Sequence, residues 1–354
     1  KEDLATKLRQ KAFALGFELF GVAKIQNVPE IGLFEKWLDN NYAGDMTYLE
    51  RNKDKRKHPE QIVENAKSVI VCAANYHTKQ PLSIEKAPKT RCWISRYAWG
   101  DDYHDVLKKK ISALYEYLVE QTSGRANGRY YVDTGPVLEK VWAKYAGVGW
   151  IGKNTCLINK QKGSFFFLAV IISDFEPGHT EPATDHCGSC TRCIDACPTN
   201  ALVAPYVLDA NLCISYLTIE KRGSIPVGLR DKIGRQVFGC DICQDVCPWI
   251  RKAPAANDAA FLPRDGFVNP DLVQILGLNN ETFSETFRHS PVKRTKYHGI
   301  IRNALIAAGN SGAKKLAGFV KKYLHSNDEI LREHAIWALN KLSGKKLQTG
   351  EECL

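Results

Sequence analysis

The sequence predicts an α+β fold in three parts. Up to about residue 175, segments of helical and strand period mix without a regular βαβ alternation. Eight of the twelve cysteines then fall between Cys187 and Cys247, in the spacing of a ferredoxin-like domain. Beyond about residue 263 the pattern is helical and repeats. Ile300-Ile301-Arg302 aligns with Ile330-Leu331-Arg332, and in that register Ile306 matches Ile336, Ala308 matches Ala338 and Asn310 matches Asn340. The offset reads as a HEAT-like α-solenoid fragment. The expected units are an N-terminal α/β domain over 1–175, a cysteine domain over 176–263 and a helical tail over 264–354.

Taken in order, residues 1–15 put Leu4, Leu8, Ala12 and Leu15 on one helical face. Glu18 to Ala23 and Ser68 to Ala74 read as short buried strands. Tyr103 to Glu120 reads as a long helix with Val106, Ile111, Leu114 and Leu118 inward. Arg129 to Val132 is a strand running into Asp133-Thr134-Gly135-Pro136, followed by a helix from Val137 to Ala146 that Gly147 and Gly149 break. Phe165 to Ile172 is a core strand, and the polar, proline-bearing stretch from Glu176 to Asp185 is a linker. In the tail a helix is expected from Ala313 to His325.

The cysteines carry the strongest chemistry. Cys187, Cys190 and Cys193 are each two residues apart, and Cys197-Pro198 closes the first run; Cys213 stands alone, and Cys240, Cys243 and Cys247-Pro248 form the second. Four thiolates hold one [4Fe–4S] cluster, and in two-cluster ferredoxins the cysteine before the proline ligates the other cluster. Cys187, Cys190, Cys193 and Cys247 are therefore assigned to one cluster, and Cys197, Cys213, Cys240 and Cys243 to the second. Structural zinc also takes C-x-x-C pairs, but it accounts for neither the triple spacing nor the two Cys-Pro ends. Cysteines in this spacing argue for a reducing compartment, not a disulfide scaffold. The first ten residues carry charges and no apolar run, and the longest apolar run, Phe165 to Ile172, is far short of the ~20 residues of a membrane span. The expected location is the cytoplasm, with no membrane partner, and in the absence of an extended seam the expected state is a monomer.

The net charge of +10 is unevenly placed: residues 288–354 hold 13 Lys and Arg against 5 Asp and Glu. Such a tail fits an anionic partner, nucleic acid before membrane surface, or a solvated basic face. Two stretches upstream look functional. One is Ser95 to His104 (SRYAWGDDYH); the other runs from Asp133 to Glu139 and on through Gly147-Val148-Gly149-Trp150-Ile151-Gly152-Lys153-Asn154-Thr155. Neither has the glycine spacing of a phosphate loop or a dinucleotide fingerprint. Asp133, after Tyr130, Tyr131 and Val132, is either a carboxyl desolvated into a general acid or a turn residue before Thr-Gly-Pro. His104 is either a proton carrier or a helix cap. Arg51 and Arg56 either grip an anionic ligand or end a solvated helix. Cys72 and Cys92 read as buried thiols; Cys156 stays open.

Together these motifs resemble epoxyqueuosine reductases, the cobalamin-dependent iron–sulfur enzymes of queuosine biosynthesis. The resemblance rests on the stretch ending at Arg56, on SRYAWGDDYH, on DTGPVLEK from Asp133 to Lys140, on GVGWIGKNT from Gly147 to Thr155, and on the paired cysteine motifs. It implies removal of the epoxide oxygen from epoxyqueuosine at the tRNA wobble position, with electrons passing from clusters to cobalamin and Asp133 as proton donor. It further implies that Arg56, Tyr97, His104, Asp133, Lys153, Asn154, Thr155 and Ser215 lie at the cofactor or the modified base. It gives the basic tail a substrate, tRNA, with Lys293, Arg294, Lys296 and Arg302 as candidate phosphate contacts. The electron donor is not identified by the sequence. Rival readings are a corrinoid reductive dehalogenase, which usually carries an export signal and no basic tail, and an iron–sulfur electron-transfer adaptor without cobalamin. A third is an RNA-binding module with structural clusters.

Overall fold

The computed structural model describes residues 3–344. The first two residues of the expected N-terminal helix and the last ten of the basic tail lie outside the described residues.

A mixed helix-and-sheet fold results. Its centre is a four-stranded antiparallel sheet of β1 (Leu19–Lys24), β2 (Ser68–Asn75), β3 (Gly128–Tyr131) and β4 (Phe166–Ser173), in the order β1-β2-β4-β3. Strand β2 is buried along its whole length because both sheet faces are covered. Ile70, Cys72 and Ala74 meet Leu8 and Ala12 of the Leu4–Ala14 helix and Leu107, Ile111, Leu114 and Leu118 of the Tyr103–Gln121 helix. Val69, Val71 and Ala73 point the other way, to Val141, Trp142 and Ala143 of the Glu139–Tyr145 helix. Leu107 is buried on the long helix, and Val106 only partly. Cys72 and Cys92 are fully buried, and burial raises both thiols above their ordinary pKa.

The helical end is built on the Lys296–Ser311 and Glu329–Ser343 helices, whose Ala308 and Ala338 are both fully buried. They approach so closely that a Cβ on Gly309 would stand 2.6 Å from the Trp337 ring. Asp328 caps the second helix by accepting from the Ile330 and Leu331 amides. The segment expected to be one helix from Ala313 to His325 instead divides into a 3₁₀ turn, a short α-helix over Ala317–Lys321 and a second 3₁₀ turn. Its buried residues, Leu316, Val320 and Tyr323, have a three-to-four spacing that either helix type satisfies.

This end does not stand apart. Its core includes Trp93, Ile94 and Trp99 from the middle of the first 175 residues, and Val237 and Phe238 from between the cysteine motifs. The Ile214–Ile219 and Val227–Ile233 helices, inserted between the cysteines, pack with Ile306.

Candidate functional site

The structure brings Cys187, Cys190, Cys193 and Cys247 together, near enough that the first three act electrostatically on the last. Cys197, Cys213, Cys240 and Cys243 gather in the same way. Cys156, which sequence spacing left unassigned, lies against Cys243. Four sulfurs in each group is the donor set of a [4Fe–4S] cluster. Among the described residues no three His, Cys, Asp or Glu side chains are arranged as a single metal ion would hold them.

The glycine-rich loop fastens both groups. Lys153 Nζ donates to the carbonyls of Gly188 (2.6 Å) and Cys190 (3.1 Å), on the first group's loop. Asn154 is buried, donating to the Cys243 carbonyl at 3.2 Å and accepting from the Cys156 amide at 3.2 Å. The resemblance places Lys153 and Asn154 at the cofactor; in the structure these bonds tie both to the cysteine loops. Thr155 beside them holds φ +61°, a conformation a β-branched residue seldom takes, and its carbonyl accepts from Lys140 Nζ at 3.0 Å. Asp241 ties the second group to SRYAWGDDYH. Its carboxylate accepts from Trp93 Nε1 at 2.9 Å, Ser95 Oγ at 2.5 Å and the Arg96 amide at 2.8 Å. Nothing in its spacing marks Asp241 in the sequence beyond its place after a cysteine.

Asp133 stands on the loop between β3 and the Glu139–Tyr145 helix, at φ +54°. Gly135 permits that loop, since a Cβ there would meet the Tyr131 ring at 2.4 Å. The desolvation expected from Tyr130, Tyr131 and Val132 does not occur: the Asp133 side chain is 66% exposed. The strand's side chains alternate sides, while the turn carries the carboxyl past its end. Tyr103 donates its hydroxyl to Asp133 Oδ2 at 2.6 Å, and His104 Nε2 lies 3.9 Å from the same oxygen. Burial first, and the Asp133 charge second, raise Tyr103 well above the ordinary phenol pKa, so it remains a donor. His104 is not the helix cap. Asp102 is, accepting from the His104 amide at 3.0 Å and meeting His104 Nδ1 at 2.7 Å, which aims Nε2 at Asp133. Burial alone would raise Asp102, but these bonds hold it below the ordinary carboxylate value.

The site extends from here in two directions. The rings of Tyr103 and Tyr97 meet edge to face at 6.2 Å. Tyr97 in turn lies against Gly239, where a Cβ would be 3.5 Å from its ring, and Gly239 precedes Cys240. A continuous path therefore joins the Asp133 carboxyl to the second cysteine group. On the other side, Arg56 is buried, donates to the Leu49 carbonyl at 3.3 Å, and shares its surroundings with Tyr48 and Glu139. Burial lowers its pKa, and those two groups oppose the shift. Arg51 is exposed and bonds Thr47 at 3.1 Å on its own short helix. Tyr48 also feels Glu220, Arg294 and Asp133, so these residues stand in one electrostatic neighbourhood. Ser215 is half-buried in the helix that starts after Cys213. Of this neighbourhood, Glu220 lies outside every stretch that the sequence marks as functional. A separate cavity of about 800 Å³ is lined by His77, Leu82, Arg192, Asp245 and Arg251, with none of the expected cofactor residues.

Of the basic candidates, Lys293, Arg294 and Lys296 are exposed, with Arg294 paired to Glu220 at 2.6 Å. Arg302 is corrected. It is 1% exposed, and its guanidinium donates to the carbonyls of Leu217, Lys221 and Gly223 and to Asn303 Oδ1. It binds the inserted helix and not phosphate. No helix among the described residues is long and apolar enough to cross a membrane.

Two family models match the chain: a 4Fe-4S double cluster binding domain over residues 186–250, and epoxyqueuosine reductase QueG, DUF1730, over residues 56–134. The chain is 43% identical over 309 residues to the epoxyqueuosine reductase of Cellulophaga algicola, covering 86% of this chain and 97% of that one. With that of Pseudomonas aeruginosa it shares 37% over 342 residues, covering 96% and 94%. Among solved structures it resembles an epoxyqueuosine reductase crystallised with an epoxyqueuosine-modified tRNA-Tyr stem loop, at a TM-score of 0.87 and 30% identity over 96% of this chain and 90% of that one. A Bacillus subtilis epoxyqueuosine reductase whose catalytic aspartate loop is swung out of the active site matches at a TM-score of 0.86 and 30% identity, with the same coverage.

Proposed function

The chain belongs to the epoxyqueuosine reductase family, and from that premise we propose that it removes the epoxide oxygen of epoxyqueuosine in the tRNA anticodon loop, giving queuosine. The relatives named above span nearly its whole length, and one similar enzyme was crystallised on the modified stem loop. In this reading two [4Fe–4S] clusters carry the electrons, one on Cys187, Cys190, Cys193 and Cys247, the other on Cys197, Cys213, Cys240 and Cys243. A separate protein donor reduces them, and the enzyme acts as a cytoplasmic monomer.

The observation that carries the reading is the unbroken path Asp133–Tyr103–Tyr97–Gly239, which sets a proton-bearing group and a cysteine group on one cleft. Cobalamin is the proposed occupant of that cleft. When bound, it supplies a strongly reducing cobalt able to open the epoxide. The donor set fits such a polar macrocycle: Arg56 has guanidinium donors beyond its one bond to Leu49, Tyr97 and His104 offer ring faces, and Ser215 offers a hydroxyl beside Cys213. Thr155 remains a candidate, since its hydroxyl sits at the strained end of the glycine loop.

The chain's own contribution is proton handling and positioning. Asp133 delivers its proton to the leaving epoxide oxygen, while Tyr103 and His104 hold its carboxyl in line. The exposure of Asp133 matches a loop that closes on substrate, as a swung-out loop in the Bacillus subtilis relative also suggests. Lys293, Arg294 and Lys296 face the tRNA phosphates from the end read as HEAT-like. In domain terms, 1–175 holds the cofactor, 176–263 the clusters and 264–354 the tRNA. Anaerobic reconstitution followed by iron and cobalt counting tests the cofactor set. Eight irons and one tightly held cobalamin per chain are expected, and Arg56→Ala should weaken cobalamin retention. Zinc in place of iron, or no cobalamin binding, overturns it.

A further inference from the structure

Deoxygenating an epoxide to an alkene breaks two carbon–oxygen bonds, forms one carbon–carbon π bond and releases water. The balance requires two electrons, which the clusters relay from the donor, and two protons. Asp133 holds one proton at a time. The second must come from a group that is protonated at neutral pH and can reach Asp133.

We propose that Glu139 is that reservoir: a neutral carboxyl at the far end of the Asp133 loop that reloads Asp133 between the two proton transfers. The proposal rests on the reading of Asp133 as proton donor. Glu139 closes the loop that Asp133 opens, and the Asp133 charge acts on it directly. The residue keeps partial exposure through its other atoms, but Oε1 is covered and has no hydrogen-bond partner among the described residues. A covered carboxylate oxygen without a donor is costly as an anion and acceptable as a neutral acid. The charged groups that face it are Asp133 on its own loop, Arg56 from the Lys53–Lys57 helix, and Lys140 next to it. Burial first and Asp133 second push its pKa up to about 8, against the smaller pull of its own backbone amide, then of Arg56 and Lys140. Tyr103 serves less well as reservoir, since its phenol is held far above the range in which it releases a proton at neutral pH.

The steps balance. Asp133 protonates the oxygen as the first carbon–oxygen bond opens, and the two electrons relayed from the donor are taken up at that carbon. This leaves a hydroxyl on the neighbouring carbon and an Asp133 carboxylate; the electron pair forms the π bond when the hydroxyl leaves. The two carboxyl groups then share the one proton that Glu139 brought. Asp133 passes it to the hydroxyl, which leaves as water when the second bond breaks. Glu139 acts through Asp133, so it is a positioning and supply residue.

The test pairs Glu139→Gln with the wild type. In cofactor-free protein, infrared titration should show a carboxylic-acid carbonyl band that disappears with a midpoint near pH 8 and is missing from E139Q. In loaded enzyme, E139Q should turn over epoxyqueuosine stem loop about 10²-fold more slowly with unchanged binding, and without the wild-type alkaline limb. An active wild type lacking the band, or E139Q with the wild-type rate and pH profile, overturns the reservoir alone. A wild type that shows the band but leaves the stem loop unconverted overturns the reductase reading and the reservoir with it.

Discussion

The two cysteine groups share a donor set but not a setting. All their cysteines except Cys247 are half-buried, so their neighbours tell them apart. Around the first group, Gly188, Ser189, Thr191 and Arg192 are exposed. Around the second, Ile214, Tyr216, Phe238 and Asp241 are buried, and Gly239 touches Tyr97 on the way to Asp133. In the proposed reading the exposed group is the inlet for electrons and the group beside Tyr97 the outlet, so that two motifs with one donor set differ in role because their surroundings differ.

The largest expected effect lies at the outlet's end. Asp133→Asn should lower turnover by about 10²- to 10⁴-fold while leaving the iron count and cluster absorbance unchanged; single-turnover kinetics beside a metal assay reads both. Loss of the clusters in this variant would mean that the loop is structural. Next, chelator or oxygen should bleach the Cys187 group faster than the Cys197 group, followed by electron paramagnetic resonance. The reverse order breaks the inlet–outlet assignment.

The glycine loop gives a finer separation. Lys153→Ala removes two bonds to the outer loop and should loosen that cluster alone, whereas Asn154→Ala should loosen the inner one, each by about 1–3 kcal/mol in unfolding stability. Equal effects on both clusters would merge what the comparison divides. At the basic end, Lys293→Ala, Arg294→Ala and Lys296→Ala should each flatten the salt dependence of tRNA affinity by about one unit of slope, while Arg302→Ala should lower the melting temperature instead.

The smallest effect is on pH. Burial lowers His334 in the helical end to about 4 from an ordinary 6.5, so the unfolded chain binds a proton that the folded one refuses. The stability this gives is whole above pH 6.5 and is lost as pH falls toward 4, by up to about 3 kcal/mol. His77, lowered in the same way beside the cysteine domain, adds a similar term, so His334→Gln should flatten only part of the acid slope.

Much of this was readable in sequence where the chemistry is local. Eight thiols at ligand spacing declare their use, and the short continuous apolar run of β2 declares a strand covered on both faces, because both signals are local in the chain. Long-range properties were not readable. An arginine looks the same in sequence whether it meets phosphate or, like Arg302, carbonyls from residues some 80 positions away. Lys153 and Asn154 read as residues of a ligand-approaching loop, and their bonds to the cysteine loops follow only from folding. The Glu30–Asp39 helix escaped although Ile31, Phe34 and Leu38 share its inner face, because it is short and Leu33, 61% exposed, interrupts the pattern. Glu139 reads as the end of a functional stretch but is given no role, because its role depends on a covered oxygen and on Asp133 across the loop.

The most direct test is the mass of the product. Reconstituted wild-type chain, reduced anaerobically and mixed with an anticodon stem loop carrying epoxyqueuosine, should yield a stem loop lighter by one oxygen atom, and cobalamin-free protein should yield none. An unchanged mass from chain carrying both clusters and cobalamin would contradict the account.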